Sequence, residues 1–165
     1  GSSPDDIELT RFDYDECFGT VINRFCLQAL LDEPLTVYGE GTHIRSILPL
    51  KDSINCLNIV IDKPPEQGQY RSLNQFGSVC SIESMANMVT LAANRIDIHP
   101  SIEHVPSPRT EALRHTYETT NEGLKELGYL PSSDDSDEIL HMLVILSKFS
   151  DRAITSTIPP KTQWR

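Results

Sequence analysis

The apolar residues of this chain fall into helical and strand-like periods, punctuated by Pro and Gly. Val21, Ile22, Phe25, Ala29 and Leu30 recur at three- and four-residue spacing, which predicts an amphipathic helix over 17–31 that Pro34 stops. A short strand over 35–38 follows, closed by a turn holding Gly39 and Gly41, and a second strand over 44–48 ends at Pro49. Asp52 or Ser53 caps the next helix, with Ile54, Leu57 and Ile61 on one face and Pro64-Pro65 as its stop. Residues 69–76 read as a strand. Ser81 caps a helix over 82–95 whose face is Ile82, Met85, Val89, Ala92 and Ile96. A strand over 102–105 leads into a loop opened by Pro106 and Pro108. A short helix over 120–127 ends at Gly128, a residue suited to a left-handed C-terminal stop. The last helix, over 138–149, buries Ile139, Met142, Leu143, Leu146 and Phe149. The Ser/Asp-rich run 131–137 sets negative charge at its positive N-terminal end. The pattern is mixed α/β with short strands.

This pattern divides the chain into an entry loop over 1–15, a domain over 16–150 and an extended tail over 151–165. Gly1, Ser2 and Ser3 read as an expression scar. With 165 residues, 38% apolar and 23% charged, the composition is that of a globular domain able to bury a core. No apolar run approaches the roughly 20 residues that span a bilayer, and the net charge of −10 repels phosphate backbones and anionic lipid. Nucleic-acid and membrane partners are therefore not expected. No targeting signal is visible, which reads as a cytoplasmic protein, or a stromal one if the source is a plant or alga. Cys17, Cys26, Cys56 and Cys80 show no CxxC spacing and read as reduced thiols. The five histidines show no ligand spacing, so no metal is expected.

Two arginines stand out by context. Arg45 follows the Gly39-Glu40-Gly41-Thr42 turn on a short strand, and Arg109 sits between Pro108 and Thr110-Glu111. A guanidinium on a rigid element suits a phosphate or carboxylate, since it is planar and donates in pairs; it equally suits a salt bridge to one of the 24 acidic residues. The loop from Arg11 through Tyr14 to Asp15 mixes aromatic and ionised groups, as either a polar-ligand loop or an ordinary surface loop. Catalytic signatures are missing from the sequence: it holds no glycine-rich dinucleotide turn, no Walker motif and no Tyr-x-x-x-Lys pair.

Taken in order, these pieces resemble one family. Arg11-Phe12-Asp13-Tyr14-Asp15, Asn23-Arg24-Phe25-Cys26, Val37-Tyr38-Gly39, Gly41-Thr42-His43-Ile44-Arg45, Asn74-Gln75-Phe76, Pro106-Ser107-Pro108-Arg109 and Glu126-Leu127-Gly128 are similar to segments of UDP-sulfoquinovose synthases. Those enzymes lie within the extended short-chain dehydrogenase/reductase superfamily of nucleotide-sugar epimerases and dehydratases. The resemblance covers nearly the whole chain. It implies the fold of the substrate-binding C-terminal portion of such an enzyme, without the Rossmann half.

Several expectations follow from the resemblance. NAD would serve the parent enzyme and would not bind this chain alone. The ligand would be a UDP-sugar similar to UDP-glucose, and the missing Rossmann half would be the partner. Arg45 and Arg109 would grip the pyrophosphate, and Val37 and Tyr38 would flank the uracil. Asn23, Arg24 and the loop carrying Arg11 and Tyr14 would lie near the sugar and diphosphate. The parent reaction would join UDP-glucose and sulfite into UDP-sulfoquinovose. Segment 69–76 would extend the Rossmann sheet, and alone it would be an apolar edge prone to self-association. Ser46, Ala112, Leu113 and Arg114 depart from the family's pattern and bear on the sugar more than on the nucleotide. A non-catalytic nucleotide- or protein-binding module, or another UDP-sugar epimerase or dehydratase, would share these features.

Overall fold

A computed structural model describes residues 20–107, 120–132 and 134–158. The principal elements are α1 (Val21–Leu30), β1 (Leu35–Tyr38), β2 (Ile44–Ile47), α2 (Leu50–Asp62), β3 (Ser78–Ser81), α3 (Ile82–Asn94), β4 (Ile102–Val105), α4 (Glu122–Glu126) and α5 (Asp135–Ser147). The strands form two separate pairs. β1 and β4 run parallel, with Leu35 opposite Ile102 and Tyr38 opposite Val105. β2 and β3 run antiparallel, with Ile44 opposite Ser81 and Ile47 opposite Ser78.

The core is a three-helix packing against β1. Phe25, Cys26 and Ala29 of α1 meet Leu35 and Val37 of β1, Met85, Ala86, Val89, Ala92 and Ala93 of α3, and Ile139 and Leu143 of α5. The alanines on α3 leave little side chain between helix axes, so α1 and α5 can both lie close to it. Burial pushes the Cys26 thiol up to about 12, which makes it an inert core residue.

Among the described residues, β1 has a strand partner on one edge only. The Leu35 and Gly39 amides donate to Ser101 O and Val105 O on the β4 side, so by strand alternation the Thr36 peptide groups face the other edge. There α1 supplies side chains where a strand would otherwise be needed. Arg24 Nη2 donates to Thr36 O at 2.7 Å, and Thr36 N donates to Gln28 Oε1 at 3.3 Å. Gln28 Nε2 also donates to Thr36 Oγ1 at 3.0 Å. Positions 24 and 28 stand one turn apart on the same helix face, which is why one helix can serve both groups.

A smaller cluster lies between α2 and α4. Cys56, Leu124 and Tyr129 are fully buried, with Ile59, Val60 and Leu73 packed around them. Asp52, only 1% exposed, accepts from Ser132 N at 3.1 Å, from Ser132 Oγ and from Tyr129 Oη at 3.4 Å. Burial first, then the charge of Asp52, push the Tyr129 hydroxyl up to about 12, so it remains a neutral donor.

Several expectations hold and several need correction. The strand over 35–38, the strand over 102–105 and the Ser81 cap are found, the last through Ser84 N donating to Ser81 Oγ at 3.0 Å. Residues 69–76 are not a strand. The side chains of this segment and its neighbours hold it: Ser53 Oγ donates to Gln75 Oε1, Asn74 Nδ2 to Thr120 O, and Asn121 Nδ2 to Phe76 O. Ladder pairing begins only at Gly77, whose amide donates to Ile47 O. An apolar edge strand at 69–76 is thus absent, and with it the basis for self-association there. α2 starts at Leu50, not after an Asp52 or Ser53 cap, because Pro49 sets the chain for the first turn and Asp52 turns its carboxylate toward Ser132. Ile54, Leu57 and Ile61 are exposed with Leu50, while Asp52 and Cys56 are buried. α5 begins three residues early, at Asp135, because Asp134 caps it by accepting from Ser136 N. The described part of the tail is not extended. It makes two 3-10 turns, Ser150–Arg152 and Thr155–Thr157, closed by local bonds such as Ala153 N to Ser150 O, and it buries Ile158.

Asp52→Ala leaves the buried Tyr129 hydroxyl and the two Ser132 donors without their acceptor and should lower unfolding stability by about 1–3 kcal/mol, read by denaturant titration, with Asp52→Asn between the two. Gly39→Ala and Gly41→Ala form a second test. Both glycines have positive φ, but an added Cβ meets nothing within 4 Å at Gly39, whereas at Gly41 it falls 2.7 Å from Val37 Cγ1 and 3.2 Å from Glu83 N. Gly39→Ala should cost about 1 kcal/mol and Gly41→Ala roughly 2–4 kcal/mol. Equal costs would count against this packing of the turn.

Candidate functional site

A cavity of about 1050 Å³ opens between the start of α1, the β1–β2 segment and α5. Its construction begins with the alternation of β1. Leu35 and Val37 point into the core, so Thr36 and Tyr38 face the α1 side. Tyr38 reaches the cavity, and the chain must then turn back to deliver β2.

That turn is tied to the N-terminus of α3. Glu83 N donates to Gly41 O at 3.0 Å and Ile82 N to His43 O at 3.1 Å, using amides that a helix leaves unpaired in its first turn. His104 on β4 braces the same turn, with Nδ1 2.8 Å from Gly39 O and Nε2 3.2 Å from Glu83 Oε2. β2 then carries Arg45 along the cavity wall, its Nη1 donating to Ile44 O at 2.8 Å.

Four of the expected site residues therefore border one space. Asn23, Arg24, Tyr38 and Arg45, from three separate segments of sequence, all line the cavity. Asn23 is exposed on the first turn of α1. Arg24 is its buried neighbour, 2% exposed, with Nη1 donating to Tyr38 Oη at 2.6 Å and Cζ 4.6 Å from the Tyr38 ring centre. Val37 is fully buried, and its side chain belongs to the core. Arg11, Tyr14 and Arg109 lie outside the described residues; Ser107, two positions before Arg109, is on the cavity wall.

Other lining residues were not anticipated. Thr20, His43 and Ser107 also line it. α5 supplies Asp135, Glu138 and His141 beside Ile139, Met142 and Leu146. In the sequence these α5 residues are simply a helix with an acidic start, and nothing in their spacing marks a cavity wall. Glu138 pairs with Lys51, which joins the first turns of α5 and α2.

The chemistry on offer is binding. Arg45, Asn23, Tyr38 and Thr20 present guanidinium, amide and hydroxyl groups suited to a polar, anionic ligand against an apolar wall. The Cys80 thiol, on the strand facing β2, is raised by burial and by the Asp135 charge, so it is not set up as a nucleophile. Among the described residues, no cluster of three His, Cys, Asp or Glu could hold a metal ion, and no helix is long and apolar enough to cross a membrane.

No protein-family model matches the chain. Individual relatives do. The chain is 38% identical over 158 residues to UDP-sulfoquinovose synthase of Sulfolobus acidocaldarius, covering 94% of this chain and 40% of the relative. Against the chloroplastic UDP-sulfoquinovose synthase of Spinacia oleracea it is again 38% identical over 158 residues, covering 94% of this chain and 32% of the relative. The chain thus spans less than half the length of the curated relatives it matches. Among solved structures, a variant UDP-glucuronic acid 4-epimerase from Bacillus cereus, in complex with UDP-4-deoxy-4-fluoro-glucuronic acid and NAD, superposes with a TM-score of 0.61 at 18% identity. That match covers 78% of this chain and 40% of the epimerase. The chain is similar across nearly its whole length to part of the UDP-sulfoquinovose synthases, and its fold is a portion of the extended short-chain dehydrogenase/reductase fold.

Proposed function

We propose that this chain is the UDP-sugar-binding, C-terminal half of an NAD-dependent nucleotide-sugar enzyme whose whole reaction resembles UDP-sulfoquinovose synthesis from UDP-glucose and sulfite. The observation that carries this reading is the cavity that gathers Asn23, Arg24, Tyr38 and Arg45. In it, Arg45 and Arg109 grip the pyrophosphate from two sides, Tyr38 flanks the uracil while the Val37 side chain stays in the core, and Asn23 lies near the sugar and diphosphate. The loop carrying Arg11 and Tyr14 lies near the sugar and diphosphate.

The division of labour follows from what the sequence holds. It has no glycine-rich dinucleotide turn and no Tyr-x-x-x-Lys pair. NAD, hydride transfer and proton abstraction therefore belong to an NAD-binding half, drawn from the part of the relatives' length that this sequence does not span. The present chain contributes binding and orientation, which lower the barrier by holding the reacting carbon in place. The exposed stripe of α2, with Leu50, Ile54, Leu57 and Ile61 between 50% and 78% accessible, is the surface against which that half docks. Such a stripe at helical spacing needs a cover. The relatives' lengths point to one, since this chain spans only 40% of the first.

Calorimetric titration with UDP tests the site. Binding should be measurable, and Arg45→Ala and Arg109→Ala should each weaken it by about 10- to 100-fold. Unchanged affinity in both variants would contradict the assignment. For the docking face, an NAD-binding half expressed separately should form a complex with this chain and restore turnover. Leu57→Asp on α2 should abolish the complex while leaving UDP binding intact. A complex indifferent to Leu57→Asp would move the interface elsewhere.

A further inference from the structure

Arg24 is an unusual residue to find at 2% exposure on a helix face. Its two terminal nitrogens are directed within the protein: Nη1 donates to Tyr38 Oη at 2.6 Å and Nη2 to Thr36 O at 2.7 Å. The guanidinium also lies over the Tyr38 ring, with Cζ 4.6 Å from its centre, and 5.3 Å from the centre of Phe25. Thr36 is itself held by Gln28 through both its amide and its hydroxyl. Tyr38 is thus fixed at its backbone by β4 and the turn, at its ring by stacking, and at its hydroxyl by a charged donor.

The hydroxyl bond has a direction. An arginine side chain has no acceptor, so Tyr38 Oη must accept, and its own proton is left for another group. Among the described residues no acceptor takes that proton, while Tyr38 lines the cavity. We infer that Arg24 is a positioning residue: it acts on the nucleotide through Tyr38, holding the ring as a wall and turning the hydroxyl into a donor for an acceptor on the bound uridine. This deepens the UDP-site reading and rests on it. It separates Arg24 from Arg45, because a charge that grips the diphosphate directly and a clamp that orients a uracil wall predict different ligand dependence.

Uridine and UDP binding, measured side by side on the same chain, distinguishes the two roles. Tyr38→Phe, which leaves the core unchanged, should weaken both ligands by about 5- to 10-fold, the loss of one hydrogen bond. Arg24→Met should weaken uridine by about 10-fold as well. The double variant should stay near the weaker single variant, far short of their ~100-fold product, because the two residues act as one unit. Circular dichroism and thermal melting first establish that Arg24→Met is folded; if it is not, the Tyr38→Phe result decides. Uridine affinity untouched in Tyr38→Phe would overturn the inference. So would an Arg24→Met variant that loses UDP but keeps uridine, which is the signature of a direct diphosphate ligand. A wild-type chain that binds neither ligand would bring down the nucleotide reading itself, and this role with it.

Discussion

The open edge of β1 is the constraint on which the rest of this structure depends. Among the described residues β1 pairs only with β4; such a pair leaves each strand with peptide groups facing away from its neighbour, and burying them unpaired costs free energy. Here Arg24 and Gln28 of α1 satisfy the carbonyl and amide of Thr36. The arrangement fixes the height and rotation of α1 against the strand, since either change would break both bonds. With α1 fixed, Phe25, Cys26 and Ala29 face α3 and β1, while Asn23 is left at the cavity. The same arginine also holds Tyr38, so closing a sheet edge and fixing one wall of the cavity are one interaction.

Two buried ionisable side chains divide the molecule's polar interior. Arg24 sits where α1 meets β1, and Asp52 sits where α2 meets the segment after α4. Each is surrounded by several hydrogen-bond partners rather than left to solvent, as burial of a charge requires. Asp52 has no connection to the cavity and holds the satellite cluster of Cys56, Leu124 and Tyr129 in place. Arg24, by contrast, borders the cavity. The turn at 39–43 completes the frame, because α3 amides hold Gly41 and His43 while the chain passes from Tyr38 to Arg45.

Much of this was legible in the sequence where the signal was local. Ser81 before an apolar-periodic run, the Gly39 and Gly41 turn, and the short strands over 35–38 and 102–105 each carry their own chemistry and are found as read. The segment 69–76 misled because Tyr70, Leu73 and Phe76 look like strand residues, while a strand exists only if another lies alongside; here side chains of Ser53 and Asn121 hold the segment instead. α2 carries apolar residues on two faces, Cys56 with Ile59 and Val60, and Leu50 with Ile54, Leu57 and Ile61, and periodicity does not say which one the protein covers. In the site, Arg45 was visible because it follows a glycine turn, and Tyr38 through the family resemblance; both border the cavity. The burial of Arg24 was not, since an arginine beside an asparagine on a first helical turn reads as surface. Nor was the α5 wall, whose Glu138 and His141 sit at positions an amphipathic helix gives to solvent.

The central claim is that the cavity between α1, β2 and α5 holds a uridine diphosphate, and amide-resolved NMR titration with UDP tests it most directly. Shifts should concentrate at Thr20 to Arg24, at Tyr38 through Arg45, at Ser107 and at the first turn of α2 where Leu50 and Ser53 line the cavity, with the rest of α2 and Tyr129 unmoved. Shifts centred on α2 or α4, or a spectrum unchanged at millimolar UDP, would contradict it.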